Sequence, residues 1–177
     1  LAAAFTFAEI EGRKSLKMSI EFDVKMSTKK LYDYLLYHTY TSFSGMLGVF
    51  IGFCFFLLFV LKANYLYLAA SIVVLAYLPV SLYTRAKRQM LLTKAFKEPL
   101  HYKLTEEGVE ISQGEIREFQ AWKDMYKAVS TGKSIIVYTG RINASIFPKE
   151  DLGNKKQEVV AAISTHMDPK KVKIRRV

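Results

Sequence analysis

The chain has 177 residues, 51% of them hydrophobic, with 26 Lys plus Arg against 16 Asp plus Glu for a formal net charge of +10. A charge of that sign asks for an anionic partner; apolar runs flanked by basic residues point to lipid headgroups and leave nucleic acid out of the expectation. The single cysteine, Cys54, lies inside an apolar run, which excludes an intrachain disulfide and a cysteine-based metal site.

Residues 1–17 read as an appended, engineered segment, because Ile10-Glu11-Gly12-Arg13 matches a protease cleavage tetrapeptide and Met18 follows as a natural start. From residue 19 to 25 the order Ile20, Phe22, Val24 against Glu21, Asp23, Lys25 alternates with period two, the pattern of a half-buried strand. Ser27 or Thr28 is placed to cap the helix that follows, whose Leu31, Tyr34 and Leu35 recur at helical spacing. With Tyr32, Tyr34, Tyr37 and Tyr40 it suits the headgroup level of a membrane, so residues 18–42 are expected to form a strand and an interfacial amphipathic helix.

Residues 43–61 carry no charge, and at a rise of about 1.5 Å per residue they match a hydrocarbon core of about 30 Å. A second uncharged run, residues 65–83, follows after Lys62, Ala63 and Asn64, so 43–84 is predicted as an antiparallel transmembrane hairpin. Ser44, Gly48 and Gly52 share one face of the first helix, where a second backbone can approach closely. That backbone is the other helix of the hairpin or a second copy of the chain. Pro79 sits near the end of the second run, at a position where a kink is tolerated. Lys25, Lys29 and Lys30 before the first run and Arg85, Lys87, Arg88, Lys94 and Lys97 after the second outnumber Lys62 between them, which predicts two spans with both termini cytoplasmic. Residues 85–98 are expected as a basic juxtamembrane helix, with Arg85, Lys87 and Arg88 anchoring it at the headgroups.

Beyond Pro99 the texture changes to short alternating runs separated by Gly108, Gly114, Gly132 and Gly140. Strands are expected over residues 100–104, 109–113, 116–120, 122–129, 134–138 and 142–147, with a helix from 148–151 onward whose Val159, Val160 and Ile163 cover the sheet. Trp122, Tyr126 and Tyr138 are expected in its core, the indole donating to a backbone acceptor. Residues 168–177 read as a mobile, solvated basic tail.

The run Leu104-Thr105-Glu106-Glu107-Gly108-Val109, then Trp122-Lys123-Asp124-Met125-Tyr126-Lys127, then Ile146-Phe147-Pro148-Lys149, in that order behind a two-helix hairpin, resembles the YcxB-like proteins of bacteria. The resemblance spans residues 18–167. It implies an α+β membrane protein of the bacterial cell membrane: an antiparallel transmembrane hairpin plus a C-terminal pleckstrin-homology-like antiparallel β-domain, residues 99–167, closed by an α-helix. It implies no catalytic residue and no cofactor. Relatives of this build are associated with bacteriocin immunity or stress responses. The first hairpin turn carries Glu106 and Glu107 where a phosphate-binding loop would carry Lys or Arg, which sets that loop apart from phosphoinositide binding.

The histidines His38, His101 and His166 are far apart in sequence, so no metal site is expected; nor is there a Gly-rich phosphate loop, a nucleophile elbow or an acidic residue inside either apolar run. The expected function is non-enzymatic: a membrane-anchored cytoplasmic interaction module that self-associates and binds a protein partner or anionic lipid at the inner leaflet. Its surface is drawn from Lys123, Lys127, Lys133, Arg141 and Lys149 at strand ends and loops. Immunity against a bacteriocin or other antimicrobial peptide is the alternative, and a lipid-acting enzyme, which no motif supports, is third. Pairing of the N-terminal strand with the C-terminal sheet is left open.

Overall fold

A computed structural model describes residues 19–174 as two compact units, one of β structure and one of helices. The reading of residues 1–17 as an engineered segment lies outside the described residues. The β unit opens with β1 (Ile20–Val24), leaves the chain's next stretch to the helices, and resumes with β2 (Leu100–Leu104), β3 (Gly108–Gln113), β4 (Ile116–Ala121), β5 (Lys127–Ser130), β6 (Ser134–Tyr138) and β7 (Ala144–Pro148). The helical unit holds α1 (Thr28–Tyr40), α2 (Phe43–Lys62) and α3 (Tyr65–Leu92).

Alternation decides how β1 is used. Ile20, Phe22 and Val24 are buried while Glu21 and Asp23 face outward, and the strand pairs antiparallel with β2, Val24 opposite Leu100 and Ile20 opposite Leu104. The question left open by the sequence is thereby answered: the segment before the helices is the edge of a sheet ordered β1-β2-β3-β4. Residues 18–42 are accordingly not one region, since β1 belongs to the β unit and α1 to the helical one. The register also sets the point where the chain leaves for the helices directly beside the point where it returns.

The second sheet runs β7-β6-β5-β8, the last strand being β8 (Val172–Lys173), and the five residues of β6 are all buried. Phe22 and Tyr102 stack at 5.6 Å between ring centroids, and Phe147 of β7 meets both edge-on at 5.2 and 5.0 Å, so three rings join the two sheets. A short α4 (Lys149–Leu152) ends at Gly153, whose φ of 51° is left-handed, and α5 (Lys156–His166) then buries Val159 and Ile163 against the sheets.

Three details depart from expectation. The strand expected over residues 122–129 begins only at Lys127: Trp122–Asp124 form a 3-10 turn, closed by the Met125 amide donating to the Trp122 carbonyl at 3.2 Å. Met125 takes the buried slot, and Tyr126 is 52% exposed rather than in the core. Trp122 itself is buried, donating its indole N–H to the Thr105 carbonyl at 2.8 Å. The expected mobile tail is also ordered as far as it is described. After a 3-10 turn, Pro169–Lys171, the strand β8 (Val172–Lys173) pairs parallel with β5, while Lys171 Nζ donates to the Met125 carbonyl at 3.0 Å.

The helical unit starts where Ser27 Oγ accepts from the Lys30 amide. Ser42 caps α2 in the same way, at 3.2 Å from the Gly45 amide, and Ala63 in the left-handed conformation with Asn64 capping α3 makes the tight connection between the two long helices. No separate basic helix follows: residues 85–92 are the last turns of α3, which ends before a 3-10 turn at Lys94–Phe96. The β5–β6 turn, Thr131–Ser134, groups with this unit, and Thr131 Oγ1 donates to Asp33 Oδ2 at 2.6 Å.

The pairing of β1 with β2 has a direct chemical test. Glu21 and Lys103 stand opposite each other, at a Cα separation of about 4.5–5.5 Å for such pairs, which a disulfide can bridge. Cysteines at these two positions, in a chain with Cys54→Ser, are expected to crosslink on mild oxidation, and cysteines at Glu21 and Ser112 are not; gel mobility under non-reducing conditions reads the result.

Candidate interaction surface

The residues singled out from the sequence fall into three groups. Ser44, Gly48 and Gly52 follow one another along α2, and it is α3 that meets the lower two. A Cβ at Gly52 would lie 2.5 Å from Leu75 Cδ2, one at Gly48 would be 3.4 Å from Leu78 Cδ1, and the Ser71 hydroxyl donates to the Gly52 carbonyl at 2.9 Å. Ser44 is exposed and, with Gly48, borders a shallow apolar recess against Val74 and Leu78. The glycine that sequence spacing missed is Gly45: a Cβ there would run into the backbone carbonyl of Thr39, so the tight α1–α2 turn depends on it. Its signal is the adjacent pair Ser44-Gly45 just inside a helix N-terminus.

Arg85, Lys87 and Arg88 are all exposed on the last turns of α3, beyond Tyr83, which packs edge-on against Tyr32 of α1 at 5.5 Å. The tyrosines of α1 therefore do not simply face outward: Tyr32 is engaged with α3, and Leu31 is buried.

The five basic residues expected to form the interaction surface are not gathered into one patch. Lys127 starts β5 opposite Tyr138, and its ammonium sits 4.5 Å over that ring. Arg141, in the β6–β7 loop, is at the same end of the second sheet and is exposed. Lys149 follows β7 at the other end, Lys133 is exposed in the β5–β6 turn, and Lys123 is exposed on the 3-10 turn after β4.

A denser charge arrangement lies on the outer face of the first sheet, and sequence reading passed over it. Asp23 Oδ1 and His101 Nδ1 are 2.7 Å apart, Glu21 Oε1 and Lys103 Nζ 3.0 Å, and His101 Nε2 is 3.9 Å from Glu21 Oε2. Lys155 Nζ reaches the Glu21 carbonyl at 2.6 Å. The hydrogen bond from Lys103, reinforced by its charge, holds the Glu21 carboxyl below its ordinary range. Exposed pairs of this kind contribute little stability each; their consequence is register, since a slip of one residue would set Glu21 and Asp23 on the core face. Among the described residues no three His, Cys, Asp or Glu side chains are grouped so as to hold a metal ion.

Part of the β unit belongs to a recognisable stretch. Residues 104–163 match the YcxB-like protein family. The matched YcxB-like segment runs from the last residue of β2 through β7 into α5, about a third of the chain, and leaves out β1 and the three helices. No curated protein and no solved structure matches the chain. The resemblance carried by Leu104–Val109, the Trp122 segment and Ile146–Lys149 therefore holds where those motifs lie, and the helical hairpin is consistent with it.

Two substitutions probe the helix contact. Ser71→Ala removes the hydroxyl donated to Gly52 and is expected to cost about 0.6 kcal/mol, up to about 1.7 kcal/mol, whereas Gly52→Leu forces Leu75 aside and is expected to cost more. Denaturation of α2 and α3 in detergent, followed by circular dichroism, ranks the two.

Proposed function

We propose that this protein is a membrane-anchored, non-enzymatic interaction module: α2 and α3 cross the cytoplasmic membrane as a hairpin, and the β unit recognises a protein partner or anionic lipid at the inner leaflet. The observation that carries this reading is the uncovered apolar surface of the two helices. Both are long and apolar enough to cross a bilayer, and large side chains along their whole length stand open, from Phe43 (81% exposed) and Phe50 to Leu61 (80%), and from Tyr65 through Ile72 and Tyr77 to Val80. Apolar surface of this extent is rare on a protein surrounded by water. A bilayer solvates it, and helices satisfy their own backbone groups within lipid.

Exposed Arg85, Lys87 and Arg88 follow the apolar part of α3, and at the opposite end of the hairpin the one basic residue is Lys62, the last of α2. That distribution favours both ends of the hairpin on the cytoplasmic side. A pleckstrin-homology-like reading of the β unit draws support from its order of parts, two packed sheets followed by the covering helix α5, with one departure: the first strand is contributed from before the helices. Our reading puts the recognition surface at exposed Lys123 and Arg141: Lys127 is engaged over Tyr138, Lys149 is half-buried, and Lys133 lies in the turn that groups with the helical unit.

Site-directed labelling tests the anchoring. In a Cys54→Ser chain, Asn64→Cys is expected to react with a membrane-impermeant maleimide on intact cells, and Lys123→Cys only after the membrane is opened. The reverse pattern would invert the orientation, and release of the protein by alkaline carbonate would remove the spanning helices from the reading. Recognition is tested by photocrosslinking from positions 123 and 141 in native membranes: adducts from these sites and not from Glu115 support the β unit as the recognising part, and equal adducts from all three count against it.

A further inference from the structure

We propose that the space between the two sheets of the β unit is a binding cavity for a small organic cation, an amine or guanidinium on a short polar chain, with Glu118 as its counter-charge. Strand β4 is where the sandwich departs from its own pattern. Register sets Glu118 in one row with Ile111 and Tyr102, and Gln120 in one row with Val109 and Leu104. Tyr102, Val109 and Leu104 are buried, so these rows face the core. A strand completing such a sheet would continue them with apolar residues. Here it carries a carboxylate and an amide on that face, with Glu118 itself exposed at the open side, while Phe119, on the opposite face, is 56% exposed.

What the polar row leaves is a cavity of about 420 Å³, within the range of about 300–1,000 Å³ usual for small-molecule sites. Ile111 and the Tyr102 ring form its apolar side, Glu118 and Gln120 one polar wall, and Asn143 and Ser145 from the second sheet the other. The Tyr102 hydroxyl lies beside Ser145 and stands within the field of Glu118. Glu118 is the one charged residue lining the cavity, and among the described residues no basic side chain forms an ion pair with it. A carboxylate at the open mouth of such a recess pairs best with a cation that brings its own hydrogen-bond donors. The two amides and the Ser145 hydroxyl supply acceptors beside it, and the Ile111 side accommodates a short carbon chain. The cavity lies wholly inside the β unit, so the inference stands whether or not the helices lie in a bilayer. The cation could be a free amine or the ammonium headgroup of a lipid.

The full chain in nanodiscs of phosphatidylcholine, titrated with agmatine and with putrescine and followed by amide NMR, tests this. Saturable shifts are expected at Tyr102, Asn143 and Ser145 with at least one of the two cations and none with glutarate; affinity should fall about tenfold or more in Glu118→Gln, the loss of one charge-assisted contact. Glu118→Gln keeps the side-chain shape, and Gln120→Leu, which fills the polar wall, provides a second variant expected to lose binding. Nanodiscs containing phosphatidylethanolamine assign the source: displacement of the amine by that lipid names a headgroup, and its absence names a free amine. Lack of saturable shifts with both amines, equal binding by Glu118→Gln, or an equal response to glutarate would overturn the proposal.

Burial also gives Tyr102 an alkaline signature. Desolvation pushes its hydroxyl from an ordinary 10.0 up to about 12. A phenol whose folded value is raised stabilises the fold fully below the unfolded value, and the contribution is lost as pH rises through the folded one. Unfolding of the β unit is therefore expected to become easier between about pH 10 and pH 12, and Tyr102→Phe is expected to remove that slope; chemical denaturation at stepped pH measures it.

Discussion

The antiparallel pairing of β1 with β2 is the constraint on which the rest of the architecture depends. It joins two segments separated in the chain by every helix, and it does so through an apolar row, Ile20, Phe22 and Val24, that is buried only if the register is right. The outer row then aligns Glu21 with Lys103 and Asp23 with His101. Neither row would hold the strand alone. Exposed ion pairs are weak, and five residues of strand are too few to be stable without a buried face. Together they fix both the position and the register. The closure of a long loop costs entropy that grows only slowly with its length, so a helical insertion of this size is compatible with a two-stranded seam.

A mechanical consequence follows for the proposed function. Because Val24 and Leu100 are partners, the entry and the exit of the helical segment are held side by side by backbone hydrogen bonds. A change that separates those two points must break the edge pair, and a ligand or partner that tightens the first sheet opposes it. Tyr102 of β2 ties this seam to the second sheet through Phe22 and Phe147 on one side and Ser145 on the other. The cavity beside Glu118 borders the same residue, which gives a small molecule there a physical route to the seam.

The helices show the complementary logic. The contact between α2 and α3 is built on Gly48, Gly52 and the Ser71 hydroxyl, and most of the large apolar side chains away from it are left uncovered. In water such a pair would seek other apolar surface; in lipid the same exposure costs nothing, and close backbone approach at small residues becomes the source of cohesion. The small-residue spacing was visible in advance, but not which backbone would use it. Both occupants satisfy the spacing, and only the tight connection at Ala63 and Asn64, with the resulting contacts, places α3 against Gly48 and Gly52.

What the sequence determined by itself is what short-range periodicity and solvation encode. Two uncharged runs with capping residues between them define α2 and α3, Ser27 caps α1, and the alternating runs bounded by glycine give β1, β2, β3, β4, β6 and β7 close to where they lie. Trp122 was legible as a core residue because so large an apolar ring with one donor has few other places in a small unit. Tertiary structure decided the remainder. The 3-10 turn that sends Tyr126 outward is held at its start by the Trp122 amide donating to the Glu107 carbonyl across a hairpin, and the ordering of Val172 and Lys173 depends on a free edge of β5. The His101 pair and the polar row at Glu118 arise from registers between strands. A residue's own neighbours in the chain fix its conformation and its face; which charge stands opposite it is set only when a distant strand arrives.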